Sequence, residues 1–345
     1  MSRSRRVMGT ITLIVAAYLI VIPFALSLFS RTRDAEHLAD RYRPVMSAQG
    51  LGQFRANLAL VNAGGTELFN KFLPELQAKL KLSDADFNAF VATNYPHVAA
   101  FLARVPVTVK YLNPATKAVL AQQDNFASAD EFPATGIPVT VGPWALLFLG
   151  VALGVVGLLI LLSDRLGGSL PPIVAIFLVG LGLVVGPLVL GWFGKTDAAE
   201  HVAEAARPPF SVTVSDATVN DTFSFNAAFI EMRKAMFPAV AQKLGMSDVA
   251  FGTYLHTNYP ALMKFLDKWD ASIYKGARAL SLSQVQYMDE FHNADATPYR
   301  ALPWLFIAPG VVLLVGAGYG FAGRRRREST TVDRAVDTEP AGVAQ

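Results

Sequence analysis

Four apolar stretches, each of about 20 residues, constrain the fold of this chain more than any other feature. They run from Val7 to Phe29, from Pro143 to Ser163, from Leu170 to Trp192 and from Leu302 to Ala322, and none contains Asp, Glu, Lys, Arg or His. At 1.5 Å per helical residue, each can cross a hydrocarbon layer of ~30 Å. We therefore predict a polytopic membrane protein with transmembrane helices at 7–29, 143–163, 170–193 and 302–322.

The overall composition narrows the class further. Of 345 residues, 52% are hydrophobic and 17% are charged, and there is no cysteine. These values exclude a disulfide-stabilised secreted domain, a disordered chain and a soluble cytosolic enzyme. The first apolar stretch exceeds the roughly 7–15-residue core of a signal peptide, and no small-x-small cleavage site follows it. We interpret it as an uncleaved signal anchor.

The basic residues at the span ends predict the orientation in the membrane. An excess of positive charge marks the cytoplasmic side, which then holds residues 1–6, the loop 164–169 and a disordered tail at 323–345. The regions 30–142 and 194–301 are then extracytoplasmic, in the cell envelope. The cytoplasmic ends are expected to contact anionic lipid and not nucleic acid. The basic residues in question are Arg3, Arg5, Arg6, Arg165 and Arg324 to Arg327.

The two outer regions resemble each other at a fixed spacing of 164 residues. Thr93-Asn94-Tyr95-Pro96 recurs as Thr257-Asn258-Tyr259-Pro260, and further matches extend back to Pro23 and Pro187 inside the spans. Near the return to the membrane the spacing falls to 160, as expected if the second copy has a loop about four residues shorter. These matches predict a tandem duplication of a span, an outer domain and a returning span. Both copies then have the same orientation, with a pseudo-twofold axis along the membrane normal.

Helical periodicity dominates the outer regions. Leu68, Phe72, Leu76 and Leu80 recur every four residues, and apolar residues stand at the matching positions of the second copy. Another helix is expected to begin at Ser83 with a capping box to Asp86, of which Ser247 keeps one half. Strand signals are scarce. The predicted fold class is therefore all-α (mainly), with stalk helices that continue from the first and third spans and end at Pro44 and Pro208.

The stalks carry most of the candidate binding residues. Two Glu-His pairs facing each other across the pseudo-twofold axis could hold Zn²⁺. Adjacent helical residues point about 100° apart, however, and the usual i, i+4 spacing is missing, so a solvated or interhelical charged face is the preferred interpretation. No metal or cofactor is predicted. These candidates are Glu36, His37, Arg43, Glu200, His201 and Arg207.

The repeated Thr-Asn-Tyr-Pro motif has two interpretations. Asn94 and Tyr95, with Asn258 and Tyr259, could form a polar and aromatic recognition site. Alternatively the motif is a corner between two helices, since proline suits the first helical turn and asparagine or threonine caps it. We favour the corner.

Pairs of glycines spaced four apart occur in three of the spans. Such pairs let helix backbones approach closely. Packing inside the four-helix bundle is the preferred interpretation, with homo-oligomerisation as the alternative. Trp144 and Trp304 are expected to anchor the outer membrane interface. The pairs are Gly150 and Gly154, Gly182 and Gly186, and Gly316 and Gly320.

Catalytic motifs are missing from the sequence. It has no thiol nucleophile, no Gly-x-Ser-x-Gly elbow, no phosphate-binding loop and no His-Glu-x-x-His. We therefore expect a non-enzymatic integral membrane protein whose paired outer domains bind or scaffold an envelope protein or an amphiphilic ligand. The alternative is an accessory subunit of a transporter, exporter or channel, with a path between the repeats. An enzyme acting on envelope lipid or glycan is the least favoured hypothesis.

Overall fold

The structure, a computed structural model, describes residues 3–163 and 169–336, and these residues are almost entirely helical. The all-α class is confirmed: within the described ranges there is no strand, and one isolated bridge pairs Ala134 with Ile137. The α-helices, in chain order, are α1 Arg3–Ala25, α2 Leu28–Met46, α3 Ala48–Glu67, α4 Leu73–Leu80, α5 Asp84–Asn94, α6 Pro96–Leu120, α7 Gln123–Asp130, α8 Val141–Leu162, α9 Leu170–Val189, α10 Trp192–Ala206, α11 Val212–Glu231, α12 Phe237–Lys243, α13 Asp248–Asn258, α14 Pro260–Lys268, α15 Tyr274–Gln286, α16 Met288–Asp295 and α17 Leu302–Val336.

Three π-helical segments interrupt this series. Leu68–Phe72 joins α3 to α4, Met232–Met236 joins α11 to α12, and Trp269–Ile273 joins α14 to α15. The first two stand 164 residues apart, and the third has no π-helical counterpart in α6. A π-turn accommodates one extra residue in a helix and is frequent at functional sites.

Four helical stretches are long and apolar enough to cross a membrane: Arg3–Ala25, Val141–Leu162, Leu170–Val189 and Met288–Arg326. They coincide with the four stretches identified in the sequence. By length and composition, the chain is therefore suited to a membrane location.

The helices divide into two compact units, and the first contains the four apolar helices. It comprises the described parts of Met1–Ala39, Asp124–His201 and His292–Gln345. In this unit α1 packs against α8 and α17, and α17 packs against α9. The buried Arg5 side chain donates from Nε and Nη2 to the carbonyl oxygens of Ile160 and Leu161, and so caps the end of α8.

The second unit combines residues of both outer regions, Asp40–Gln123 and Val202–Phe291. Its core holds the predicted stripes: Leu68, Phe72 and Leu76 are buried, as are Met232, Met236 and Val240. One continuous cluster of buried side chains joins the two stripes, so in this unit the packing does not separate one region from the other.

Helix boundaries near the predicted stalks differ from the sequence expectation at three places. α1 ends at Ala25 and α2 begins at Leu28, because Ser27 adopts a left-handed conformation with φ 51°. The corresponding break before α10 is at Gly191, with φ 66°. The prediction that the first stalk ends at Pro44 is wrong, since α2 continues to Met46 and the Ser47 hydroxyl bonds to the Pro44 carbonyl at 2.7 Å. The second stalk does end before Pro208, at Ala206.

The C-terminal segment also differs from its expectation. A disordered tail was predicted from residue 323, whereas α17 is helical to Val336. The helix-forming residues after Gly323 continue the apolar helix without a breaker. The remainder of the predicted tail and most of the loop 164–169, including Arg165, lie outside the described residues.

Candidate functional site

Two glutamates join the halves of the second unit in a reciprocal way. Glu67, at the end of α3, accepts a hydrogen bond from the backbone N–H of Leu262 at 2.8 Å. Glu231, at the end of α11, accepts one from the N–H of Val98 at the same distance. Both bonds lead to the third residue of a helix that begins with proline, where the N–H has no partner within its own helix. Each carboxylate therefore caps a helix of the other half and interacts favourably with its dipole.

Aromatic packing surrounds these caps. The Phe101 ring lies 4.9 Å from both the Phe225 and Phe229 rings, in edge-to-face geometry. Gly64 leaves room for the Phe265 ring, because a Cβ atom at Gly64 would lie 2.5 Å from the Cβ of Phe265. The caps and the rings together bury the crossing points of α3 with α14 and of α6 with α11.

A polar cluster lies on one side of this core. Glu75 accepts hydrogen bonds from the hydroxyls of Tyr254 at 2.6 Å and Tyr259 at 2.5 Å, and these bonds hold the pKa of Glu75 below its usual value. Burial, followed by the hydrogen bond to Glu75, raises the pKa of the Tyr259 phenol. The ammonium of Lys79 lies 5.1 Å from the centre of the Tyr254 ring.

The positions 164 residues away carry a different chemistry. Lys243 lies over the Phe90 ring at the same 5.1 Å, but the residue 164 positions after Glu75 is Ala239. Burial, and then the charge of Glu231, raises the pKa of Tyr95. The two clusters share one geometry and differ in charge.

An ion pair between a buried carboxylate and an exposed guanidinium connects α6 with α11. Asp221 accepts from the Arg104 Nε at 2.8 Å and from the Thr108 hydroxyl at 2.5 Å. Asp221 is almost fully buried, and these two donors help to stabilise its charge. This contact adds a third polar link between the halves.

An open groove of about 440 Å³ lies between α11 and α15. Its lining combines three aliphatic residues with three polar ones, which in an open groove suits the surface of a partner. Sequence reasoning did not single out these residues. One difference between the two outer regions could have indicated the groove. Val219 is apolar, whereas the residue 164 positions earlier is Arg55. The lining residues are Asp216, Val219, Asn220, Leu282, Val285 and Gln286.

The stalk residues predicted from the sequence lie in charged surroundings. Glu36 accepts a long bond of 3.4 Å from the Thr140 N–H, and His201 faces Asp197 at 3.4 Å. Arg43 pairs locally with Asp40 at 2.5 Å. Within the described ranges, no group of three or more His, Asp or Glu side chains is arranged to hold a metal ion, and this holds for Glu36, His37, Glu200 and His201. Arg207 is exposed just beyond the end of α10.

The Thr-Asn-Tyr-Pro motifs form helix-to-helix corners. Tyr95 and Tyr259 link α5 to α6 and α13 to α14, and both rings are buried. The side chains of Asn94 and Asn258 each donate to a carbonyl four residues earlier, at 2.8 Å. The Ser83 and Ser247 caps stand as expected, each accepting from an N–H three residues on at 3.2 Å.

The glycine pairs of the apolar helices differ in their surroundings. A Cβ at Gly150 would meet Ile20 at 2.8 Å, and Gly154 is in ordinary contact with Ala16. Gly316 faces Ile11, and Gly320 lies against Met8 and Ile173. Gly182 and Gly186 have no atom of the described chain within 4 Å of a built Cβ. α9 and α17 instead approach closely at Gly180 and Gly310, where a Cβ on either glycine would lie within 3.0 Å of the carbonyl oxygen of the other.

Comparison with protein-family models, with characterised proteins and with solved structures gives no significant match. The function is therefore argued from the geometry of the chain alone.

Proposed function

We propose that this chain is a non-enzymatic membrane protein of the cell envelope whose two outer regions interlock into one rigid unit that binds or scaffolds an envelope partner. In this proposal the N- and C-termini are cytoplasmic and the second unit is extracytoplasmic. The basic residues at the start of α1 and those at 324–327, after the apolar part of α17, support this orientation.

We further propose that the chain arose by tandem duplication, and several recurring features support this. α3 and α11 have matching bounds at a spacing of 164, as do α5 and α13. Left-handed residues recur at the same spacing, Ser27 with Gly191 and Lys81 with Gly245.

Two further observations refine the proposed repeat. Phe29 packs on Trp144 with ring centres 4.9 Å apart, and Phe193 packs on Trp304 at 5.4 Å. Beyond the third π-helical segment the spacing becomes 165, which aligns α7 with α16 through Asp124 and Asp289, Phe126 and Phe291, and Asp130 and Asp295. A single inserted residue accounts for both the π-turn and the changed spacing.

The reciprocal caps made by Glu67 and Glu231 carry the functional proposal. They tie each half to the other at crossing points that are also filled with aromatic rings. A unit fixed in this way keeps its surface in one shape, which is what a binding or scaffolding protein requires. The filled core gives the alternative, a transport path between the repeats, less support.

Photo-crosslinking in intact cells tests the proposal. A photoreactive amino acid is placed in the full-length chain at exposed positions of the second unit, such as Val249 and its match Ala85. We expect a reproducible adduct with one envelope component from at least one face. We also expect its loss in the double variant Glu67→Ala and Glu231→Ala.

The milder double variant Glu67→Gln and Glu231→Gln serves as the control. It keeps acceptor oxygens at both caps and is expected to retain the adduct. If no outer position forms an adduct, the proposal fails. A solute-export or uptake defect on deletion, without any adduct, would support the transport alternative instead.

A further inference from the structure

We infer that the groove between α11 and α15 is a docking site for an amphipathic helix of the partner protein. The inference rests on the proposed binding function and assigns it to one face of the second unit. It depends on the shape of the groove, on its apolar pattern, on its charges and on a difference between the two halves.

The groove has two helical walls that run in opposite directions. Asp216 and Val219 of α11 lie beside Leu282 and Val285 of α15, whereas further along α11 the Phe223 ring lies beside Arg278, with the guanidinium 5.9 Å from the ring centre. Residue numbers rise along one wall as they fall along the other. A third helix laid between two antiparallel helices fills such a groove by packing its side chains between theirs.

Exposed apolar residues continue along α11 beyond the groove. Val212, Phe223 and Ile230 are exposed by 60%, 41% and 41%. Together with Val219 they have spacings of seven, four and seven residues, which place them on one face of a helix. The face spans 19 residues, and its two ends lie about 27 Å apart at helical rise. This length and spacing fit a helix of about five turns, whereas a small amphiphile would need a more enclosed cavity.

The other half of the chain lacks this face. At the matching positions of α3 stand Ala48, Arg55, Ala59 and Thr66 in place of the four apolar residues of α11. On α15, Leu282 corresponds to Lys117 at the spacing of 165 that follows the third π-helical segment, although Val285 corresponds to Leu120. The fold therefore does not require large apolar residues at these positions. An exposed apolar face that one copy has and the other has lost or never gained indicates an interaction surface.

Charges at the two ends of the groove specify the orientation of the partner. Asp216 is exposed at one end and Arg278 lies at the other. The complementary helix carries apolar residues at i, i+4 and i+7, a basic residue near Asp216 and an acidic residue near Arg278.

The test places a photoreactive amino acid at Leu282 in the full-length chain in cells and identifies the adduct peptide by mass spectrometry. The proposal expects the adduct to fall on a segment with that helical pattern. The variant Val219→Arg with Phe223→Ala, which transplants the residues of the first half, should lower the adduct yield about tenfold or more, because it removes two apolar anchors. The matching positions of α3 already hold Arg55 and Ala59 in a folded helix. The unfolding temperature of the variant should therefore stay within a few degrees of that of the wild type.

Three further variants sharpen the result. Asp216→Arg should reduce the yield, and Asp216→Asn should reduce it less, because only the first repels the basic residue of the partner. The reciprocal transplant Arg55→Val with Ala59→Phe should leave the Leu282 adduct unchanged.

The remaining outcomes overturn the inference. An adduct with a second copy of this chain, an adduct with lipid or another small amphiphile, or no adduct at Leu282 each contradicts a partner helix. If positions such as Val249 still capture an envelope component while Leu282 does not, the proposed function stands and only the docking site is wrong. If no outer position captures anything, both fail.

Discussion

Removal of the Glu67 carboxylate is expected to destabilise α14, the helix in the other half of the second unit that Glu67 caps. A hydrogen bond to a charged group contributes about 1.5–3 kcal/mol, and an N–H left buried without a partner costs a similar amount. Glu67 is 8% exposed, and its bond to Leu262 is buried. For Glu67→Ala we therefore expect a loss of about 2–3 kcal/mol.

Glu231 offers a matched comparison. Its bond to Val98 is equally short, but it is only partly buried, so water can replace the lost acceptor. For Glu231→Ala we expect about 1–1.5 kcal/mol. For Glu67→Gln, which keeps an acceptor oxygen and loses the interaction of charge with the helix dipole, we expect about 0.5–1 kcal/mol.

Hydrogen exchange of the full-length protein in detergent, followed by mass spectrometry, measures these effects by position. With 1.36 kcal/mol for each factor of ten, Glu67→Ala should speed exchange in the first turn of α14 by about 30- to 150-fold. Glu231→Ala should speed exchange in the first turn of α6 by about 5- to 12-fold. If each variant affects only the helices of its own half, the interlocked arrangement is wrong.

Three further predictions concern separate parts of the molecule. Gly310→Ala should destabilise the packing of α17 on α9 by about 1–3 kcal/mol in thermal unfolding, because the new Cβ would lie 2.9 Å from the Gly180 carbonyl oxygen. Gly182→Ala is the control and should be neutral, since its Cβ would meet open space. Lys81→Gly should stabilise the protein by about 1 kcal/mol in the same assay, because Lys81 holds a left-handed conformation with φ 53°, and an unchanged unfolding temperature would contradict this. The pKa of Glu75 is lower in the folded state than its unfolded value of 4.5, so the stability that this carboxylate contributes is present above pH 4.5 and declines as the pH falls through the lower folded value. Glu75→Gln should therefore flatten the fall in unfolding temperature below about pH 4.5. Identical plots of unfolding temperature against pH for the variant and the wild type would refute the role of this carboxylate.

Local signals in the sequence predicted most of the helices and their ends. The Ser83 and Ser247 caps, the Tyr-Pro corners and the apolar stripes that recur every four residues each depend on residues within one or two helical turns. Their physical causes are contained in short segments, so the sequence reveals them directly.

The glutamate caps could not be recognised in the same way. A glutamate near the end of a helix is typical of an exposed position, and the N–H groups that Glu67 and Glu231 bind lie 195 and 133 residues away. The one available signal was that both halves have Glu at matching positions next to the buried stripe.

The break between α1 and α2 shows another limit of local reasoning. No glycine or proline marks Ser27, yet this residue adopts the left-handed conformation that Gly191 adopts at the matching position. Gly191 was therefore the better guide to the conformation of Ser27. For the docking groove, likewise, the differences between the two halves of the second unit were more informative than their similarities.

Cysteine labelling in intact cells tests most directly whether the interlocked unit stands outside a four-span anchor. Because the chain has no native cysteine, single cysteines at Ala85, Val249 and Ala341 report on both outer regions and on the C-terminal end without background. The account predicts that a membrane-impermeant maleimide labels positions 85 and 249 in intact cells, and position 341 only after permeabilisation. Protection of position 85 or 249, or labelling of position 341 in intact cells, would contradict it.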